Sequence, residues 1–214
     1  MYSMQDSTLD YYNRSAPELA ERYEQIELAA MHAILAQTFA GRRKLLEAGC
    51  GSGRDAAFLL SKGHDISAVD GSQAMLEQAR RFHPELNGRL FHVRFPGLLP
   101  FPSASFDGAY SIAFLMHLDR SAIAEAVSEI HRILEPDGLF FFSASLERGD
   151  VDSAGIDPKG RRFTSLSEQA WDRLCGRLGF RKLSFSRTAD SAGREGLVWG
   201  NFLYRRLKDP RRPL

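Results

Sequence analysis

The sequence predicts an α/β domain with a doubly wound, mostly parallel sheet, and three observations predict it. From Lys44 onward, short apolar runs alternate with amphipathic ones, the pattern of successive βαβ units. The first run leads straight into a glycine turn, Gly49, Gly51 and Gly53, where a strand hands over to a helix and exposes unpaired N–H groups. The second run closes on Asp70, a carboxylate at the C-terminal tip of the next strand. At 214 residues one such domain accommodates the chain, 1–214, and neither an internal repeat nor a low-complexity linker divides it.

Before the alternation, Ser15 and Glu18 have the S-x-x-E spacing of a capping box and open a helix with Leu19, Tyr23, Ile26, Leu28 and Ile34 at its apolar positions. Residues 1–42 therefore read as a helical extension, a lid packed on the domain. Strand one is KLLEA, and its helix carries Ala56, Ala57, Leu59 and Leu60. Strand two is DISAV, followed by a helix capped by Ser72 with Met75, Leu76 and Ala79 on one side. Strand three is RLFHVR. The connection FPGLLPFPSAS is a loop, because Pro96, Pro100 and Pro102 each remove a donor and restrain their neighbours. FDGAYSI is strand four; Ile123, Val127, Ile130 and Leu134 then recur at helical spacing until PDG, and LFFFSAS supplies a fully buried strand five. Residues 146–164 are polar and aperiodic, a long loop over the site. Ser165 and Glu168 form a second capping box, Gly179 closes that helix, and FRKLSFS and GLVWGNFLYRR complete seven strands.

With 28 basic and 27 acidic side chains, no global field draws the chain to nucleic acid or an anionic membrane, so a small-molecule partner is expected. Cys50 and Cys175 have no metal-ligand spacing and imply no disulfide, which points to a reducing, cytoplasmic setting and to no metal. No stretch approaches the roughly 20 apolar residues of a membrane span, and no leader pattern opens the chain. The basic tail RRLKDPRRPL reads as a frayed terminus. Oligomeric state is not legible.

Two ligand classes fit the glycine turn. Gly51, Gly53 and Ala56 satisfy the dinucleotide pattern G-x-G-x-x-A, with Asp70 near the distance of a ribose-binding carboxylate, which suits a nicotinamide-dependent oxidoreductase. The wider string LLEAGCGSGR, followed by VDGSQAMLEQA, LPFPSASFDGAYSIAFLMHL and ILEPDGLFFFSAS, resembles the class I S-adenosylmethionine-dependent methyltransferases in the order of that family's motifs. The resemblance implies a seven-stranded, Rossmann-like sheet of order 3-2-1-4-5-7-6 with the last strand antiparallel. It also implies transfer of a methyl group from S-adenosylmethionine to a small acceptor, leaving S-adenosylhomocysteine. On the same ground Glu47, Gly49, Gly51 and Gly53 form the turn beneath the methionine part of the cofactor, and Asp70, beside Gly71, holds both ribose hydroxyls. Arg54 and Met75 flank the cofactor, and Ser111 with Ile112 faces its methionine end through the backbone.

An acidic residue such as Glu47 before the glycines suits an ammonium better than phosphates. Where many relatives carry an acid for the adenine amino group, this chain has Phe95: either it stacks on adenine, with the backbone after Pro96 supplying polar contacts, or it belongs to the core. His117, at the rim after strand four, is the candidate general base for an acceptor that must lose a proton, and packing near the following helix is its alternative. Tyr11, Tyr12, Arg14 and Arg162 are the candidate substrate contacts, Arg162 because GRRFT is similar to a GRxFT string of small-molecule relatives. Arg161 reads as surface, Trp199 as core, and His64, His83 and His92 as structural. A protein that binds the cofactor without turnover is the reading from a different class.

Overall fold

The computed structural model describes residues 4–190 and 196–208, so the end of the basic tail, 209–214, lies outside the described residues. Three helices come first: α1 (Met4–Arg14), α2 (Ala16–Gln25) and α3 (Ala29–Thr38). Then follow β1 (Lys44–Ala48), α4 (Arg54–Ser61), β2 (Asp65–Asp70), α5 (Gln73–Phe82), β3 (Leu90–His92) and β4 (Phe106–Ile112). The last part holds α6 (Arg120–Ile133), β5 (Leu134–Glu147), α7 (Glu168–Arg177), β6 (Phe180–Ala189) and β7 (Val198–Arg206).

The strands form one sheet of order β3-β2-β1-β4-β5-β7-β6. β3, β2, β1, β4 and β5 pair parallel, whereas β7 runs antiparallel to both β5 and β6. This is the sheet the resemblance implies. The strands buried on both faces are continuous apolar runs, as parallel sheets require; Leu139 to Ser145 of β5 is buried throughout. On one face, Ile123, Val127 and Ile130 of α6 and Trp171 of α7 pack with Phe140, Phe142 and Phe202. On the other, Leu35, Leu59 and Leu76 of α3, α4 and α5 pack with Leu45, Ile66 and Tyr110. Each such aliphatic or aromatic side chain contributes about 1.5–3 kcal/mol by leaving water.

The N-terminal extension departs from expectation in two places. Ser15 makes no side-chain cap, because its N–H bonds the Tyr11 carbonyl at 3.0 Å and its φ, ψ of −104°, 10° continue the turn of α1 into α2. The single long helix is broken at 26–28, where Ile26 adopts extended backbone and closes α2. Ile26 and Leu28 keep their apolar character for another reason: they line the cavity described below. The second cap also moves, from Ser165 to Ser167, whose extended backbone (φ −65°, ψ 161°) lets its hydroxyl accept from the Ala170 N–H. Leu134 ends α6 as its C-cap instead of prolonging it, and β5 begins there, with Pro136 to Gly138 absorbed in a register shift against β4.

The histidines read as structural have partners. His64 bonds the Arg42 carbonyl and His92 the Gly71 carbonyl. His83, at the end of α5, meets Glu24 of α2 at 3.2 Å and Glu85 at 3.3 Å. The bond to Glu24 raises the His83 pKa above 6.5, more than burial lowers it; burial opposes ionisation of Glu24, but the bonds from His83 and Ser52 bring its carboxyl below 4.5. A histidine raised in the fold stabilises fully below its unfolded pKa and loses that contribution as pH rises through the folded value. The Tm difference between the wild type and His83→Ala is therefore expected to be largest near pH 5.5–6 and to shrink by pH 8.5; calorimetry at the two pH values checks it.

Candidate active site

Along the C-terminal ends of the strands, under α1, α2 and α3, lies a cavity of about 560 Å³, within the size range of small-molecule sites. It runs from the glycine turn after β1 across β4, β5 and β7 to Thr188 on β6. Four strand spacings of about 4.8 Å make that span roughly 19 Å.

At one end stands the turn. Gly49 has φ +78°, and a Cβ there would sit 2.2 Å from Cγ of Phe114, so the ring of Phe114 occupies the place a side chain would take. Gly51, at φ +54°, faces the cavity and gives its N–H to Asp70 Oδ2 at 2.8 Å. Three further donors of the turn are taken internally: the N–H groups of Gly49 and Cys50 by the Val69 carbonyl at 2.8 and 3.1 Å, and that of Gly53 by the Cys50 carbonyl at 2.9 Å. Asp70 Oδ1 accepts the Ser72 N–H at 2.8 Å. Gly49→Ala should cost about 1–2 kcal/mol for the left-handed backbone alone, and about 1–3 kcal/mol more for displacing Phe114. At about 2–4 °C per kcal/mol for a chain of this size, Tm should fall by roughly 5–15 °C, measured by calorimetry.

The charge around this end is acidic. Glu47 is 1% exposed and accepts from the Tyr110 hydroxyl at 3.1 Å; burial first, then the neighbouring Asp55 charge, push its carboxyl well above the usual range. Burial likewise raises Asp70, against the two backbone donors that favour its charged form. Asp55 is buried, paired with His32 at 2.8 Å and with Arg54 at 3.5 Å, and Arg54 also bonds the Tyr23 carbonyl.

At the middle of the cavity stands His117, 7% exposed. Its Nδ1 lies 2.8 Å from the Arg162 carbonyl oxygen, which only accepts, so Nδ1 carries the proton and Nε2 accepts from the Tyr12 hydroxyl at 3.0 Å. Burial lowers the His117 pKa to about 4, and burial raises that of Tyr12 well above 10. The two elements that frame His117 are clipped together: Ser7 bonds the Gly160 carbonyl, the Arg162 N–H bonds Thr8, and the Thr164 N–H bonds the Met116 carbonyl.

Glu47, Gly49, Gly51, Arg54, Asp70, Gly71, Phe95, Ile112, Tyr12 and His117 all line this one cavity. Others proposed from sequence lie outside it. Gly53 begins α4 facing Leu86 and Ala79. Met75 is fully buried behind the turn, covered by Ala16, Leu19 and Ala20 of α2. Ser111 is fully buried, its hydroxyl without a partner among the described residues, and Pro96 is exposed. Arg14 is exposed, and Tyr11 packs against the Arg161 guanidinium at 5.0 Å and the Tyr12 ring edge. Arg162 offers its backbone to His117 and bridges to Ile156, while its neighbour Arg161 lines the cavity. Trp199, expected in the core, lines the cavity and donates to Asp190 at 2.9 Å. Arg148, Phe163 and Asn201, also in the wall, were not singled out; a polar Asn201 amid the buried residues of β7 was the available signal.

The charge of the site disfavours one ligand class. With the N–H groups of Gly49, Cys50, Gly51 and Gly53 bonded internally and Glu47, Asp55 and Asp70 alongside, the turn repels a pyrophosphate more than it attracts one. An ammonium or sulfonium would neutralise the same carboxylates, and Arg54 can take a carboxylate. The residues present thus fit the amino-acid and ribose ends of a cationic nucleoside.

Comparisons agree. Residues 46–142 match the family described as "Methyltransferase domain". A malonyl-[acyl-carrier protein] O-methyltransferase of Enterobacter lignolyticus is 28% identical over 166 residues, 75% of this chain and 64% of that protein. An S-adenosyl-L-methionine-dependent Diels-Alderase of Talaromyces variabilis is 35% identical over 126 residues, 56% of this chain and 41% of that one. The chain spans less than two thirds of the length of these curated relatives. Among solved structures, the 1,6-didemethyltoxoflavin-N1-methyltransferase of Burkholderia thailandensis, with S-adenosylhomocysteine bound, superposes with a TM-score of 0.71 at 26% identity, covering 94% of this chain and 88% of its own. Residues 46–142 thus match a methyltransferase domain, and in sheet order and glycine turn the chain is similar to the class I S-adenosylmethionine-dependent methyltransferases.

Proposed function

We propose that this chain transfers a methyl group from S-adenosylmethionine to a small-molecule acceptor. The observation that carries the reading is the glycine turn set beside three acidic side chains, Glu47, Asp55 and Asp70, which suits a sulfonium nucleoside better than a nicotinamide dinucleotide. When bound, the cofactor supplies an electrophilic methyl carbon whose bond to sulfur breaks, with its electron pair, as the bond to the acceptor forms. The protein's work is alignment and exclusion of water. Asp70 would hold the ribose hydroxyls, Glu47 the ammonium, Arg54 the carboxylate, and Phe95 the adenine side. For an acceptor that carries a proton, Tyr12 takes it at its hydroxyl while passing its own to Nε2 of His117. The helices of residues 1–42 and the loop 146–164 serve as the lid, since their mutual bonds close over His117.

A methyl-release screen over amines, thiols, phenols, carboxylates and metalloid oxyanions tests the reading: turnover of at least one acceptor class, with S-adenosylhomocysteine formed in equal amount, is expected. The similarity to a Diels-Alderase favours a second reading, cofactor binding without methyl transfer. S-adenosylhomocysteine binding together with no methyl release from any class would select it.

A further inference from the structure

The cavity has a second charged end, remote in the sheet order from the glycine turn. Arg148, just past β5, has a side chain only 1% exposed, and its guanidinium lies 3.6 Å over the ring of Phe163. Arg161 sits 5.1 Å from the same ring, its side chain 12% exposed. Each is held by a carboxylate through one edge: Arg148 Nε and Nη2 bond Asp150 at 2.9 and 2.6 Å, and Arg161 Nε and Nη2 bond Asp157 at 2.9 and 2.6 Å. In both pairs Nη1 is left out of the carboxylate contact, so each fork is fixed in orientation; Arg161 also reaches the Tyr12 hydroxyl, while Nη1 of Arg148 bonds none of the described residues. The counter-ions differ in setting. Asp157 is buried, whereas the side chain of Asp150 is 51% exposed, so water screens it while Arg148 stays desolvated on the cavity wall.

Across from them stand groups of β7 that want a ligand of matching shape. Asn201 is 4% exposed, gives its amide N–H to Thr188, and has its amide oxygen without a partner among the described residues. Trp199 adds an aromatic wall, locked by its bond to Asp190. A buried acceptor left unpaired is destabilising, and a donor on a bound molecule relieves it.

Resting on the methyl-transfer reading above, we propose that the acceptor is an aromatic acid, its carboxylate or phosphate held by Arg148 and Arg161, with a hydroxyl or amine donating to Asn201. A guanidinium fork binds either anion by paired N–H bonds, and the aromatic walls of Phe163 and Trp199 suit a planar body.

The test uses the protein saturated with S-adenosylhomocysteine and follows tryptophan emission, in which Trp199 reports on the cavity and the fully buried Trp171 does not. The probes are 4-hydroxybenzoate, phenyl phosphate, neutral 4-hydroxybenzyl alcohol and cationic tyramine. At least one anion should bind tenfold or more tightly than the alcohol and tyramine; which anion does so separates carboxylate from phosphate. Arg148→Met should abolish the preference with S-adenosylhomocysteine affinity kept within threefold, which also certifies the fold; if that variant does not fold, Arg161→Met takes its place. No anion preference, no anion binding, or a preference that survives the substitution overturns the proposal. Failure of S-adenosylhomocysteine to bind the wild type overturns the methyltransferase reading instead, and the anion preference is then read in its absence.

Discussion

Replacing Asp70 by Ala is expected to weaken S-adenosylhomocysteine binding at least tenfold by isothermal titration. The carboxylate is pinned by two backbone donors, Gly51 N–H on Oδ2 and Ser72 N–H on Oδ1, both at 2.8 Å. These fix its plane while leaving lone pairs toward the cavity for two adjacent hydroxyls. A hydrogen bond to a charged group is worth about 1.5–3 kcal/mol, so losing one gives about 10- to 150-fold in affinity. The substitution also releases the Gly51 N–H, which loosens the turn itself. Asn is no conservative replacement, because two N–H groups converge on the carboxylate and an amide accepts at one end only. Because burial raises the Asp70 pKa, affinity should start to fall as pH is lowered at a higher pH than an ordinary aspartate allows.

His117→Ala should lower kcat by about 100-fold or more for any acceptor that loses a proton on methylation, the usual size of a general-base contribution. The geometry behind this is specific: the Arg162 carbonyl fixes the proton on Nδ1 and turns the Nε2 lone pair toward Tyr12. Tyr12→Phe removes the hydroxyl through which the proton reaches His117, so its effect should be of similar size. The pH profile separates a base from a packing residue. With burial holding His117 to about 4, kcat/KM should be flat through pH 6.5 and fall only toward pH 4. A limb near 6.5 that vanishes in His117→Ala would keep the base but contradict its burial-lowered pKa, whereas an unchanged kcat in His117→Ala would contradict the assignment. The folded pKa lies below the unfolded one, so His117 also makes stability fall as pH drops from 6.5 toward 4.

The parts of the fold with dense apolar periodicity were legible. KLLEA and FDGAYSI reproduce β1 and β4 to the residue, because each is buried on both faces and bounded by turn chemistry. β6 runs on past FRKLSFS to Ala189 because it is an exposed edge strand, where no inward alternation marks the end. The break between α2 and α3 escaped for the opposite reason: Ile26 and Leu28 preserve an apolar pattern by facing a cavity instead of a core, and neither glycine nor proline punctuates them. At the site, the cavity-lining residues of the turn were named through the family resemblance, but the far wall of the cavity was not. Arg161 and Arg162 are adjacent in sequence, yet Arg161 lines the cavity while Arg162 bridges to Ile156. Arg148, Trp199 and Asn201 meet there because β5 and β7 pair antiparallel, placing Ser143 opposite Asn201 and Ser145 opposite Trp199. Long-range register of that kind has no local trace.

The most direct measurement is a crystal structure grown with S-adenosylhomocysteine and NAD supplied together at equal concentration. The account predicts the homocysteine nucleoside alone in density, its ribose on Asp70 and its amino-acid end between Glu47 and Arg54. Density for a pyrophosphate at the turn of Gly49 to Gly53, or a turn that binds neither molecule, would contradict it.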